Sequence, residues 1–383
     1  MKLGYKRAIL GGLSSLMLCV LVATSANAQG AAPAKKPLLA EDVYKNIQVL
    51  RGVPENQFLA TMGSIAAGLA VNCSYCHDES TWDTYAKDTP NKQMARKMIL
   101  MMSSINQSYF TGKRMVTCWT CHRGSEHPSV TPVLEEVYGA PPPDEPDSLM
   151  EPAEGAPSVN QVLDKYLQAI GGAQKLAAIT SFTAKGTYQG FAELDKVPIE
   201  IYAKAPEQRT TVIHRLDGVW TTTTTGTEGW VSEPGRPVPL LELTGLFLDG
   251  VNVDAQMSFP GQIKQYFSSM RVGFPSTIND KKVQMVQGLS AGKSVVNLYF
   301  DDETGLLVRL VRFTDEPLGQ SPTQMDYGDY RLVAGVKMPF QITSTWLDGR
   351  AKMALTQIQP NVVIDAARFG NPGQPVLTNS NKK

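Results

Sequence analysis

The sequence predicts a multidomain chain in which an all-α domain is followed by an α+β domain built as an antiparallel half-barrel. Three observations lead to this fold class. Apolar residues recur at three- and four-residue spacing between about residues 40 and 139, as in helices. After residue 179 the period changes to two, as in strands. Between these patterns, residues 141–157 (PPPDEPDSLMEPAEGAP) hold six Pro and five acidic side chains, a composition that forms no core.

The composition favours a folded protein and argues against nucleic-acid binding. The 383 residues are 42% hydrophobic and 19% charged, which is enough for two domains with a core each. Lys and Arg total 36, and Asp and Glu total 36, so the chain lacks the basic excess that neutralises phosphates. Five Cys are too few for a disulfide scaffold, so each Cys requires its own explanation.

The first 28 residues are typical of a secretory signal peptide. Lys2, Lys6 and Arg7 precede an apolar stretch, and Ala26 and Ala28 form a small-residue cleavage site. The alternative is a membrane anchor, but the apolar run at 8–22 is shorter than the roughly 20 residues that cross a bilayer. We therefore expect cleavage after Ala28 and a periplasmic product that is soluble or peripheral to the membrane.

We expect four segments after the signal peptide. Residues 29–140 would form the helical domain, 141–157 the Pro-rich acidic linker, 158–370 the β-rich domain and 371–383 a disordered tail. Because a Pro-rich linker is stiff and extended, we expect it to hold the two domains apart.

The coarse pattern also places individual elements. Helices are expected at 41–50, 55–71 and 91–107, and at 158–170 between the N-cap Ser158 and Gly171. Strand-like runs include 197–203, 297–300 and 306–313, and the last two flank the turn sequence DDETG. This spacing favours antiparallel hairpins.

Two five-residue motifs carry the chemistry: CSYCH at 73–77 and CWTCH at 118–122. C-x-x-C-H is the attachment site of c-type haem. The two thiols form thioethers with the porphyrin, and the adjacent His lies under the iron. The sequence thus predicts two covalent haems, with the thioether residues Cys73, Cys76, Cys118 and Cys121 and the proximal iron ligands His77 and His122.

The Cys pairs have three other possible uses. Each pair could close a disulfide in an oxidising compartment. A four-Cys zinc site would usually separate its pairs by about 15–20 residues, whereas residues 77–117 intervene here. A thioredoxin-like motif would need a strand–helix context, which this half lacks. A His directly after both pairs favours haem.

Several side chains could supply the second axial iron ligand. Met62 lies eleven residues before Cys73, on the helix that leads to the first motif. For the second motif, the preceding helix offers Met94, Met98, Met101 and Met102. His127 is an imidazole alternative. Each Met can also be explained as a packed core side chain.

The first half resembles the cytochrome c subunit of the photosynthetic reaction centre. The matching stretches are VYKNIQVL at 43–50, FLATMG at 58–63, NCSYCH at 72–77, ARKMILM at 95–101 and TCWTCHRG at 117–124. The resemblance implies a repeated unit of one helix with the axial Met and a second with C-x-x-C-H. By this resemblance Met62 serves the first haem and Met98 the second, with Met101 as the alternative. The reaction-centre subunit has four attachment sites, whereas this chain has two.

The second half is similar to the LolA-like lipoprotein carriers, half-barrels that shelter acyl chains in a concave apolar face. The likeness covers residues 158–370 and rests on the hairpin pattern rather than on a motif. The alternative is a docking module without a cavity. His214 has no evident catalytic partners, so no enzyme site is expected there.

The sequence therefore predicts an exported dihaem c-type cytochrome that carries single electrons and is not an enzyme. Its partners would be a redox donor and an acceptor, with a membrane-bound reaction centre or a respiratory complex as candidates. Two rivals stay open. One is a dihaem peroxidase, which needs a displaceable iron ligand, and the other is a lipid or lipoprotein carrier with the haems as a redox sensor.

Overall fold

The computed structural model describes residues 37–78, 84–128, 130–139, 154–190 and 193–373. The predicted signal peptide, residues 141–153 of the predicted linker and residues 374–383 of the predicted tail lie outside the described residues. In the described part of the chain, no helix has both the length and the apolar character needed to cross a bilayer.

Short and long helices make up the described secondary structure of the first half, apart from an isolated bridge between Leu39 and Pro54. Single 3₁₀ turns lie at Cys73–Tyr75 and Thr84–Ala86. The α-helices are α1 (Ala40–Val43), α2 (Glu55–Leu69), α3 (Pro90–Tyr109), α4 (Cys118–His122) and α5 (Leu134–Val137).

Helices α2 and α3 lie where the periodicity predicts them, but the helix expected at 41–50 ends at Val43. Asn46 takes a left-handed backbone conformation with φ of 61°, which a continuing helix does not allow. Thr89 caps α3, since its side chain accepts a hydrogen bond from the Lys92 amide at 3.1 Å and Pro90 occupies the first helical position.

The second half is dominated by one antiparallel sheet of 14 strands in the described residues. The strand order is β6-β5-β4-β3-β2-β1-β14-β13-β12-β11-β10-β9-β7, with β8 paired to β9. The strands are β1 (Ser181–Gly190), β2 (Glu193–Lys204), β3 (Gln208–Arg215), β4 (Gly218–Thr224), β5 (Gly229–Ser232), β6 (Leu240–Glu242), β7 (Ser268–Val272), β8 (Ser276–Ile278), β9 (Lys281–Leu289), β10 (Val295–Asp301), β11 (Leu307–Glu316), β12 (Gly319–Val333), β13 (Val336–Trp346) and β14 (Gly349–Pro360).

The predicted antiparallel hairpins are confirmed. Val197, Ile199, Ile201 and Ala203 of β2 are all buried, as alternation on a half-buried strand requires. Strands β10 and β11 pair antiparallel across the DDETG turn. There the Asp301 carboxylate accepts a hydrogen bond from the Thr304 amide at 2.7 Å, and Gly305 takes the left-handed conformation.

Among the described residues, four α-helices accompany the sheet: α6 (Val159–Ala169), α7 (Ala173–Ala177), α8 (Gly245–Gln256) and α9 (Ile263–Tyr266). Helix α6 starts at the predicted cap, where Ser158 and Gln161 bond reciprocally. Its apolar face is buried, and the Tyr166 ring packs 5.1 Å from the Phe300 ring of β10. In the part of this half that the structure describes, 3₁₀ turns lie at Pro260–Gln262 and Ala366–Phe369.

The two halves are in contact rather than held apart. From Leu38 onward the chain forms one compact unit. The Ser64 hydroxyl of α2 donates to the Glu316 carboxylate of β11 at 3.0 Å, and the Arg114 guanidinium bonds Asp315 and the Glu316 carbonyl. Leu318 belongs to the same buried apolar cluster as Phe58 and Met102. The expectation of separated halves is therefore wrong, because α2 packs on the turn between β11 and β12.

Candidate functional site

The first C-x-x-C-H motif is held by the beginning of α3. The Thr89 hydroxyl donates to the Cys76 carbonyl at 2.6 Å, and the Asn91 amide donates to the Tyr75 carbonyl at 2.9 Å. The residue that caps the helix thus also fixes the loop that carries the two thiols.

The His77 ring is oriented by the loop that follows it. Its Nδ1 lies 3.2 Å from the Tyr85 carbonyl oxygen, and its ring centroid lies 4.7 Å from that of Tyr85. Burial lowers the pKa of His77, which favours the neutral imidazole. With Nδ1 engaged as a donor, Nε2 is left as the acceptor, which is the arrangement found at metal-ligating histidines.

A cavity of about 940 Å³ brings the predicted residues of the first site together. Cys73, Cys76, His77 and Met62 all line it. Apolar side chains of α2, of α3 and of the segment before α2 complete this part of its wall, among them Val49, Leu50, Phe58, Leu59, Ile65 and Ile99. The volume is in the range of a site for a large organic cofactor. The donor set and the apolar lining therefore fit a covalently held haem.

The second motif forms α4 and is fixed by its own cap and by α2. The Thr120 hydroxyl accepts a hydrogen bond from the Thr117 amide at 3.0 Å. The Gly124 amide donates to the Gly68 carbonyl, also at 3.0 Å. A Cβ at Gly68 would lie 2.9 Å from the Cβ of Cys118, so only glycine allows α2 and α4 to approach this closely.

The histidine of the second motif has the same kind of partner as that of the first. The Nδ1 of His122 lies 3.0 Å from the Ser125 carbonyl oxygen. Nε2 is again left as the acceptor, so this motif also presents the atoms that c-type haem attachment requires.

The structure separates the methionines that the sequence left as alternatives on α3. Met102 is 7% exposed and packs in the apolar cluster of the first half. Met98 is half-buried, while Met94 and Met101 are 52% and 47% exposed. Met102 is thus a core residue, and the other three lie outside that core. The side chain of His127 is 87% exposed and lies 3.7 Å from the Glu126 carboxylate.

None of the four described cysteines is in a disulfide. Burial raises the pKa of the Cys76 and Cys118 thiols. Across the ranges that the structure describes, no group of three or more His, Cys, Asp or Glu is arranged to hold a metal ion.

A hydrogen bond links the two motif regions. The Tyr75 hydroxyl donates to the Glu126 carboxylate, and this bond raises the pKa of Tyr75 to about 12. One residue of the first motif therefore contacts the loop that follows the second.

A second cavity, of about 660 Å³, lies in the sheet half. Most of its lining is apolar, for example Phe182, Ile201, Phe259, Met325 and Met353. Arg209 also lines it and donates to the Ser258 hydroxyl at 2.7 Å, and burial lowers the pKa of its guanidinium. His214 lies in β3, with its Nε2 3.5 Å from the Glu200 carboxylate.

Sequence reasoning missed that the sheet half also lines the cavity of the first motif. Residues of β3, of β4, of the loop after β5, of the end of β13 and of the turn that follows it contribute, among them Ile213, Arg215, Trp220, Arg236, Trp346 and Asp348. They lie more than 100 positions from the motif and form no motif of their own, so no local signal could have found them.

Comparisons with known proteins concern mainly the first half. Residues 20–145 match the family described as the photosynthetic reaction centre cytochrome C subunit. The reaction centre cytochrome c subunit of Roseobacter denitrificans is 36% identical over 114 residues, which are 26% of this chain and 31% of that protein. The subunit of Thermochromatium tepidum is 31% identical over 93 residues, covering 23% of this chain and 22% of that protein.

The chain thus spans less than a third of the length of these curated relatives. Among solved structures, a LolA superfamily protein from Nitrosomonas europaea aligns with 56% of this chain and 98% of its own, at 12% identity and a TM-score of 0.39. For the first half, the resemblance predicted from the motifs is confirmed: this segment is similar to the cytochrome c subunit of photosynthetic reaction centres.

Proposed function

We propose that this protein is an exported dihaem c-type cytochrome that transfers single electrons between protein partners. One observation carries the proposal: Cys73, Cys76, His77 and Met62 line a single apolar cavity, and the Nδ1 of His77 is already engaged by a carbonyl. The likeness to the reaction centre subunit supports the same conclusion. The helical first half would be the dihaem domain.

Each haem, when bound, supplies an iron that cycles between Fe(II) and Fe(III). The side chains of the protein hold the haem, bind its iron and exclude water. The thiols Cys73 and Cys76 would hold the first group covalently, and His77 Nε2 and the Met62 thioether would be the ligands of its iron. A thioether opposite an imidazole favours a high potential. The apolar side chains around this site exclude water, and no substrate bond is made or broken.

For the second site, Cys118 and Cys121 supply the thioethers and His122 the proximal ligand. Met98 is the proposed distal ligand, with Met101 as the alternative one turn along α3. Met98 is half-buried, whereas Met101 is 47% exposed, and this difference supports Met98, because an iron ligand lies out of contact with water.

The partners would be a redox donor and an acceptor in the periplasm, and a membrane-bound reaction centre is one candidate. The predicted signal peptide at 1–28 would direct export, and the mature chain would be soluble or peripheral to the membrane.

The test is haem counting on the exported full-length protein. Intact mass after acid and organic extraction should exceed that of the polypeptide by two haems, and the reduced spectrum should be that of a low-spin c-type cytochrome. Colour that extracts completely would contradict the proposal. A high-spin ferric haem that reacts with peroxide would favour the peroxidase instead.

The cavity of the sheet half supports a second, separate function as a binding site for an apolar molecule with an anionic end. Its wall is mainly apolar, and the half-buried Arg209 contributes a cation to it. Mass spectrometry of lipids extracted from protein purified without detergent tests this. An Arg209→Gln variant should carry less of the acidic species, and a wild-type extract without lipid would contradict the proposal.

A further inference from the structure

The cavity of the first motif has a polar part made by the sheet half. Arg215 at the end of β3, Trp220 of β4 and Arg236 after β5 all line it. The Arg215 guanidinium carbon lies 3.7 Å from the centre of the Trp220 ring, and that of Arg236 lies 5.7 Å away. We call these three residues the sheet cluster. Stacking on an aromatic ring holds both cations in place.

The indole of this cluster has an unused donor. The Trp220 Nε1 atom is buried and has no hydrogen-bond partner among the described residues. Buried donors nearly always have a partner, so this one points to a ligand acceptor. Trp220 is also part of the cavity wall, so a ligand in the cavity could supply this acceptor.

Charge in the cavity favours an anion. Lys45, Lys92, Arg96, Arg215 and Arg236 line it, against the two acids Glu233 and Asp348. Some of these cations already bond other groups of the protein. Arg96 bonds the Asp88 carboxylate at 2.7 Å, and Lys92 donates to the Tyr85 carbonyl, also at 2.7 Å. Arg236 bonds Glu233 at 2.6 Å, and Arg215 lies 3.6 Å from Asp217. When Asp88 and Asp217 are counted with the two acids of the wall, five cations still face four acids.

Haem is an apolar ring with two carboxylates on one edge. The motif side of the cavity matches the ring, and the sheet cluster matches the carboxylates, because guanidinium groups bind carboxylates with parallel hydrogen bonds. We propose that Arg215, Trp220 and Arg236 bind the propionate carboxylates of the first haem, so that the sheet half completes this haem site. The proposal rests on the proposed function, since it requires a haem on the first motif.

If the cluster acts this way, it shapes the first haem's potential. Two nearby cations stabilise Fe(II) over Fe(III), because reduction removes a positive charge from the iron. Covering the porphyrin edge also shields it from water, which is a second route by which a protein sets a haem potential.

The experiment is a redox titration of the full-length, haem-loaded protein. The first haem is identified as the one whose potential moves in Met62→Ala. Arg215→Gln and Arg236→Gln should each lower that potential by an amount that changes the one-electron equilibrium about tenfold, or about 59 mV. Trp220→Phe keeps an aromatic ring at this position and removes the indole N–H donor, so it should shift the potential less but in the same direction.

Matched controls use residues that do not line the cavity. Arg271 is exposed on β7, where it bonds the Gln287 side chain, and Trp230 lies in β5. Arg271→Gln and Trp230→Phe should leave the potential unchanged. Arg215→Lys and Arg236→Lys keep the charge and should restore most of the wild-type potential, which separates the loss of charge from a folding defect.

The two proposals fail in different ways. A wild-type chain without covalent haem on the first motif would overturn the proposed function and this inference with it. A chain that carries both haems, but whose first potential is unmoved in Arg215→Gln and Arg236→Gln, would overturn only the assignment of the sheet cluster. A shift that the Lys variants do not restore would also overturn it.

Discussion

The two C-x-x-C-H motifs share their chemistry but differ in their surroundings. The first lines a cavity to which both halves of the chain contribute. The second lies on a short helix with Cys121 exposed and Trp119 59% exposed. It packs closely on α2, between Gly68 and Cys118, and Cys118 also packs against the apolar cluster that contains Leu318.

Because of this difference, two motifs of the same type can hold haems of different reduction potential. Potential depends on the axial ligands, on burial and on nearby charge. If both haems have His and Met ligands, any difference between their reduction potentials comes from burial and nearby charge. We expect the first haem, beside the sheet cluster, to respond to changes in the sheet half and the second haem to be insensitive to them.

The largest expected effect comes from removing one Cys pair at a time. Cys73→Ala with Cys76→Ala, and Cys118→Ala with Cys121→Ala, should each lower the intact mass by one haem, because a haem without thioethers is not covalently retained. Only the first pair should also loosen the contact between the halves, measured as earlier proteolysis or a lower Tm. The control Ser74→Ala keeps both haems. Equal destabilisation by the two pairs would break the comparison.

The next effect concerns Met62, the proposed distal ligand of the first proposed haem. Met62→Ala should give one high-spin haem, weaken the near-infrared sulfur-to-iron band and lower one potential, because a thioether favours Fe(II). Met102→Ala is the matched control. It should cost about 2–5 kcal/mol of unfolding free energy by loss of packing, with no change in ligation. An unchanged spectrum in Met62→Ala would contradict ligation by Met62 and leave it as a packed core side chain.

The second haem allows a sharper choice between two residues. Only one of Met98→Ala and Met101→Ala should remove the remaining near-infrared band, and we expect it to be Met98→Ala. The other should change stability alone. His127→Gln should leave both spectra intact, because that side chain is 87% exposed. Loss of a band in His127→Gln would show that imidazole ligates the second haem.

The smallest effect is a pH dependence at the contact between the halves. Burial raises the pKa of the Glu316 carboxyl, so the folded chain holds this proton to higher pH than the unfolded chain. Its contribution therefore lowers the free energy of unfolding as pH rises above about 4.5, the ordinary value of the group. Glu316→Gln should flatten that fall and be more stable than wild type at pH 7. Denaturation at several pH values, with exposed Glu303→Gln as control, checks this; parallel curves for Glu316→Gln and wild type would contradict it.

Local pattern accounts for what the sequence could predict. Residues 55–69 and 90–109 are helical as their periodicity indicates, and 295–301 and 307–316 pair across a recognisable turn. The helix expected at 41–50 ends early, because Asn46 turns the chain while Leu50 still reaches the core. Apolar spacing alone cannot distinguish a helix from a packed loop.

The candidate site divides in the same way. The thiols and histidines belong to two contiguous motifs that can be recognised in the sequence, and the role of Met62 is predicted from a family resemblance. The participation of Arg215 and Trp220 depends on how a strand packs against a helix far away in sequence. Residue type and spacing carry no trace of that packing, so it required the three-dimensional structure.

The contact between Ser64 and Glu316 spans 252 positions of the chain, and this has a consequence for the order of assembly. Contacts between residues so distant in sequence carry a large loop-closure cost and tend to form late. The contact between α2 and β11 is therefore expected to form after the local helices and hairpins. The wall that the sheet half adds to the cavity of the first motif is then completed late, so a cofactor bound there would be enclosed last on the side of the sheet. Cys73 and Cys121 are both exposed in the folded chain, so one thiol of each motif stays accessible after this step.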